Sequence, residues 1–311
     1  MSAAEPTGVN LPRTGGAWVS PAAVARIAII SALFVLVYWW PIRHSLVWRW
    51  LNDGNWSHGW LIPLFSLYFL GMRRQELEKC HPRPSYFGAV ILALSLTVYF
   101  LSAWRLRMVY PQALSGVGAI FGVTLLMGGW SVIRIAWFPI LFLLFAVPLP
   151  QGLYVDLTMP LRMMASTVAA GVMPLFAPGL HTEAQAVVID YVFPGSPPGT
   201  LNVEEACSGM RLMMAFIALG VAMAYIQERP LWQRVVMVLS CIPVAVMCNA
   251  IRVTITGLLY VYGHASLARG TPHQLLGIAI LGIALGLFAL IGYVLNNLVI
   301  EDEPGERAQR V

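Results

Sequence analysis

From Ala22 to Ile300 the sequence is a series of apolar runs, most of them near the length of a membrane crossing and separated by short polar or aromatic breaks. A bilayer core takes about 20 apolar residues of helix. With no water in that core, every backbone N–H and C=O must be bonded within the protein, which leaves helices or a closed barrel. The runs are continuously apolar and do not alternate, so helices are selected. The expected fold is all-α, a polytopic transmembrane bundle of about eight spans with an extra interfacial helix and an extracytoplasmic loop. Composition agrees, since 11% of the 311 residues are charged, where a soluble domain carries roughly a quarter.

The spans are expected at 22–40, 61–72, 86–103, 112–130, 133–147, 208–226, 231–260 and 274–300. Together, 22–300 makes one transmembrane domain between cytoplasmic tails 1–21 and 301–311. The first run lacks a small-residue cleavage site and is read as a retained span, not a removed signal. Nineteen residues are basic, and their placement reports topology. The run RRQELEKCHPRP, with Arg73, Arg74, Lys79 and Arg83, belongs in the cytoplasm by the positive-inside rule. Arg105 and Arg107 fall on the opposite side and count against that scheme locally. Basic charge in this pattern implies no nucleic-acid partner.

Between the first two spans, Pro41–Trp60 reads as a loop whose tryptophans, in NWSHGW, suit the membrane interface. The segment 148–206 reads as extracytoplasmic. Beyond Ala177 it holds Glu183, Asp190, Glu204 and Glu205 and no Lys or Arg. If the fifth span exits on that side, Asp156–Phe176 cannot cross once, so it should lie along the interface or re-enter. FPGSPPGT, Phe193 to Thr200, is a turn-rich loop tip. In the last span Gly282 and Gly286 form a GxxxG step that permits close helix contact. No internal repeat is visible, so an inverted-repeat transporter has no support. LPRTG at Leu11–Gly15 mimics a sorting signal but precedes the first span, the wrong context for one.

Four cysteines, Cys80, Cys207, Cys241 and Cys248, are scattered without metal-ligand spacing, so no metal, cofactor or disulfide framework is expected. Cys207 stands apart from the rest. It lies in NVEEACSGMRLMM, Asn202 to Met214, where an acidic segment runs into an apolar one. A helix N-terminus and positive neighbours would favour its thiolate, and the small Ser208 and Gly209 leave room for a substrate backbone. The packing alternative is a small buried hydrophobe. Arg252 is embedded in NAIRVTIT, inside an apolar run. An arginine at that depth costs roughly 3 kcal/mol on insertion scales and faces a cavity or a partner. Asn249 and Thr256 share its helix face, and an ion pair with Glu204 or Glu205 is the structural alternative. His273 follows Pro272 at the start of the last span, where an interfacial histidine would also be ordinary. Alternation brings Cys207, Arg252 and His273 to the same outer level of three consecutive spans. A nucleophile, a fixed positive charge and a proton carrier are what thiol acyl transfer needs.

NWSHGWLIP (Asn55–Pro63), FPILFLLFAVPLP (Phe138–Pro150), VEEACSGMR (Val203–Arg211), NAIRV (Asn249–Val253) and PHQLLG (Pro272–Gly277) together resemble the exosortase/archaeosortase family of membrane cysteine transpeptidases. The resemblance implies a sortase-like protease and transpeptidase of the plasma (inner) membrane. Its substrates would be membrane-anchored exported proteins with a C-terminal signal: a short motif such as Pro-Glu-Pro, a transmembrane helix and a basic tail. It further implies Cys207 as the acyl-thioester residue, with Arg252 and His273 completing the catalytic set. Glu205, Ser208 and Asn249 would support them. The acceptor could be water, an amine, a lipid or a polysaccharide. Arginine keeps its proton at any ordinary pH, so charge stabilisation is the role the chemistry allows Arg252. A non-catalytic transporter or assembly factor for exported polysaccharide, with Arg252 binding an anionic group, is the competing expectation. His58 and His264 read as interfacial structure.

Overall fold

In the computed structural model, which describes residues 21–203, 210–227, 230–268 and 270–298, the expected apolar runs are helical. The order is α1 (Pro21–Val37), α2 (Trp39–Pro41), α3 (Trp48–Asn52), α4 (Leu61–Met72), α5 (Arg74–Lys79), α6 (Phe87–Leu101), α7 (Val109–Phe142), α8 (Gln151–Phe176), three strands, then α9 (Met210–Ile226), α10 (Leu231–Leu239), α11 (Cys241–Val261) and α12 (Gly270–Leu298). The chain divides into two compact units. One comprises 1–48 and 61–147; the other comprises 49–60 and 148–311.

Close helix contact organises the first unit. A Cβ on Gly88 of α6 would lie 2.2 Å from the backbone nitrogen of Leu126 in α7, and one on Gly122 would lie 2.7 Å from that of Leu92. Only glycine lets these backbones approach so far, and lipid gives no hydrophobic drive to replace that packing. Expected spans 112–130 and 133–147 both lie on α7, which is two helices joined directly across a kink at Gly129 (φ 71°, ψ −170°). That conformation is essentially closed to residues with a Cβ, and a Cβ there would also strike the Arg83 carbonyl oxygen. Ser66 of α4 donates to the Pro139 carbonyl (2.6 Å), a side-chain bond that ties α4 to α7.

The second unit contains an element that an all-helical reading leaves out. His181–Gln185, Val188–Val192 and Gly199–Asn202 form an antiparallel sheet in the order β1-β2-β3. Its inner face, with Ile189 and Leu201, packs with Ala169, Ala170 and Val253. Phe193–Thr200 contains the β2–β3 connection, turning at Gly195 (φ 83°).

Among the described residues five stretches are long and apolar enough to cross a bilayer, or six if the pair Val24–Val37 and Trp39–Asn52, bent by 70°, counts as one. The eight crossings expected are therefore not all present as full-length helices. α4 has 12 residues, roughly 18 Å of rise, well short of the bilayer core. The expected loop Pro41–Trp60 is largely helical, and Trp56 faces the protein. It is buried beside Tyr154, their rings 6.0 Å apart.

Asp156–Phe176, expected along the interface or re-entering, belongs to one long helix. α8 has 26 residues and meets the length and composition of a span. It packs parallel to α11: Ala169 and Ala170 cluster with Val253, and Met173 and Ala177 with Val261. Finally, a Cβ on Gly282 or Gly286 would meet nothing within 4 Å. This GxxxG step makes no contact within the described chain.

Candidate active site

Three helices meet at Gly220 of α9. A Cβ there would lie 2.1 Å from Cys241 Sγ of α11 and 3.6 Å from the ring of Phe288 in α12. Above this point α11 rises while α9 and α12 run back toward their own starts. Eleven residues along α11 is Arg252, and eleven back along α12 is Gly277. Eleven residues make about three full turns and 16.5 Å, so the two positions should return to the same seam. They do: a Cβ on Gly277 would sit 3.7 Å from Arg252 Nη2. Met210, the first residue of α9, is ten residues back from Gly220, about 15 Å of helix rise.

Arg252 is 4% exposed and engaged in interactions. Thr256, one turn further, is fully buried, and Asn249 lies one turn before. Neither Asn249 Oδ1 nor Thr256 Oγ1 has a hydrogen-bond partner among the described residues. Unsatisfied buried polar atoms are rare in native proteins. Two of them beside a buried arginine make this face of α11 polar. The opposite face of α11 is apolar, and Thr254 there returns its hydroxyl to the Ala250 carbonyl (2.8 Å).

The sheet delivers the chain to this level. Val203, following β3, is fully buried with Val253, next to Arg252, and donates its N–H to the Val187 carbonyl (2.8 Å). Cys207, Glu205 and Ser208 lie outside the described residues, as does Glu204. Val203 and Met210 are the described residues on either side of them. His273 lies in the first turn of α12, one turn before Gly277; its side chain is outside the described set.

His264 is exposed just beyond α11, its N–H donating to the Leu259 carbonyl (2.7 Å). The ring of His58 lies 5.9 Å from that of Trp56, with both ring nitrogens buried, so His58 is an interior residue of the second unit. Arg162 of α8, 7% exposed, was not singled out from the sequence. In a segment read as interfacial, an arginine is ordinary. Once α8 packs along α11, it is a second buried cation, roughly 12 Å along the helix from Ala170.

These features define a polytopic helical membrane protein with an arginine-bearing polar face buried where three helices converge. The chain belongs to the transmembrane exosortase family, whose pattern (Exosortase_EpsH) matches residues 50–290. That match spans residues 50–60 of the second unit, the sheet, and all of α8 to α11. No curated protein and no solved structure matches the chain.

Proposed function

We propose that this exosortase cleaves the C-terminal sorting signal of exported, membrane-anchored proteins through a thioester on Cys207, at the extracytoplasmic face of the plasma membrane. The observation that carries the reading is the eleven-residue register. Arg252 and Gly277 share one level, and Cys207 precedes Met210, the first residue of α9, by three residues. Four residues separate it from Val203, a reach of at most about 14 Å.

In this mechanism the Cys207 proton passes to His273 and the thiolate attacks the scissile carbonyl carbon. Arg252 stabilises the oxyanion of the tetrahedral intermediate. The C–N bond breaks, His273 returns the proton to the departing amine, and the acyl group remains on sulfur. Water, an amine or a lipid hydroxyl then attacks the thioester and releases the thiolate. Asn249, and on the sequence argument Glu205 and Ser208, would orient these groups.

The test uses a reporter ending in Pro-Glu-Pro, an apolar helix of about 20 residues and an arginine tail. Co-expressed with the wild-type chain, it should be shortened, and mass spectrometry of its new C-terminus would give the bond cut and any attached acceptor. Cys207→Ala should stay in the membrane and leave the reporter whole. Normal processing by that variant would overturn the mechanism and leave the non-catalytic reading standing.

A further inference from the structure

Two side-chain hydrogen bonds fasten the sheet to α8. Thr182 of β1 donates its hydroxyl to the Ala170 carbonyl (2.6 Å), and Ser166, one turn earlier on α8 and fully buried, donates to the Ala186 carbonyl. The Met163 carbonyl also lies within reach of Ser166 (2.9 Å), but it already receives the Thr167 hydroxyl (3.0 Å). The Ser166 proton therefore serves the sheet.

Ala186 is where the sheet needs holding. Gln185 pairs with Val188, so only Ala186 and Val187 join β1 to β2. A hairpin this tight demands a positive φ at its first central residue, which glycine adopts at no steric cost. Here alanine stands there, at φ 54°. A residue with a Cβ keeps that conformation only where its surroundings hold it, and the bond from Ser166 falls on this residue.

The second residue of the turn carries the effect onward. The Val187 carbonyl accepts the Val203 N–H (2.8 Å), one pair beyond the Val188–Asn202 register. Val203 is fully buried with Val253, the neighbour of Arg252, and Cys207 follows four residues later. Side chains alternate along a strand, so a slip of one residue at this turn would point Val203 away from Val253.

We propose that Ser166 is a positioning residue for Cys207, acting through the Ala186–Val187 turn. The proposal rests on the exosortase reading and adds a residue of α8 that sets where the nucleophile's segment leaves the sheet. Ala186 is exposed, so water can take over its carbonyl, and Ser166→Ala should still fold.

The experiment compares the full-length wild-type chain in nanodiscs with Ser166→Ala and with Ser166→Ala/Ala186→Gly. The readouts are turnover of the co-reconstituted arginine-tailed reporter and hydrogen exchange at the Val203 and Val253 amides. In Ser166→Ala, exchange at Val203 should quicken at least tenfold while Val253 is unchanged, because the opening is local. kcat should fall about tenfold with KM within about twofold of wild type, the mark of a misplaced reacting group. The added glycine should restore both, since it holds the turn unaided. Unchanged exchange at Val203, or a rise shared equally by Val253, would overturn the proposal. So would failure of the glycine to rescue, or an undiminished kcat with Val203 loosened. The exchange responses need no turnover: a wild-type chain that leaves the reporter whole while its variants show them would sink the thioester reading and keep the control of Val203 by Ser166.

Discussion

Arg252 is buried among Val, Ala, Cys and Thr on a helix that otherwise needs no charge, and its surroundings say how a substitution there should read. Lysine keeps the charge but loses the planar fork of donors. If Arg252 stabilises an oxyanion, Arg252→Lys and Arg252→Met should each lower kcat by about 10²–10³-fold while KM changes little, the signature of an interaction made in the transition state. A large rise in KM at constant kcat would assign it to substrate binding instead. Gly277 supplies a finer probe. The 3.7 Å between its Cβ position and Nη2 is ordinary contact, so Gly277→Ala should be tolerated. Gly277→Leu would occupy the guanidinium's space and should approach the Arg252 variants in activity. Equal activity of the Ala and Leu variants would refute that contact. At this scale, Arg252 and Asn249 were legible as a pair because polar residues in an apolar run are conspicuous. Gly277 was not, because nothing in a sequence tells which glycine faces an arginine on another helix.

The helices divide between contacts that tolerate a methyl group and contacts that do not. Gly220→Ala would force its Cβ into Cys241 Sγ, and overpacking of this kind costs typically 1–3 kcal/mol. Adding Cys241→Ala should recover much of that loss. A double-mutant cycle on denaturant or thermal midpoints would show the coupling, and additive losses would mean that the two do not touch. Gly88→Ala should be harsher, since its Cβ would meet backbone of α7, which has no rotamer to move aside. Gly282→Ala and Gly286→Ala should leave stability of the isolated chain unchanged within about 0.5 kcal/mol. The GxxxG spacing pointed to the wrong glycines for a simple reason. The motif describes one helix, while close approach depends on what lies opposite. Helix existence and ends were readable from hydropathy: the span expected at 231–260 is α10 followed by α11, and that at 274–300 is α12. What α8 packs against was not legible, because its partner α11 lies far along the chain.

For the molecule as a whole, the exposure of its thiols makes the mechanism accessible to simple chemistry. Cys241 and Cys248 are 1% and 0% exposed, and Cys80 is partly exposed. In a Cys80→Ser background, a charged, membrane-impermeant maleimide added from the extracytoplasmic side should abolish processing by modifying Cys207 alone. Peptide mapping should find no label on Cys241 or Cys248. Inactivation without label on Cys207, or protection from reagent on that side, would contradict the proposed placement of the thiol.

The membrane class, the helical fold and the identity of the buried cation on α11 follow from the sequence by itself. Each depends on a local property: the length of an apolar run, the cost of a bare peptide group in lipid, and one charge where none is needed. The parallel packing of α8 on α11, the sheet that brings Val203 beside Val253, and the shared level of Arg252 and Gly277 were decided only by the tertiary structure. Each is a relation between residues far apart along the chain. In lipid such relations are set by which side chains and backbones fit closely, a property of pairs that hydropathy does not record.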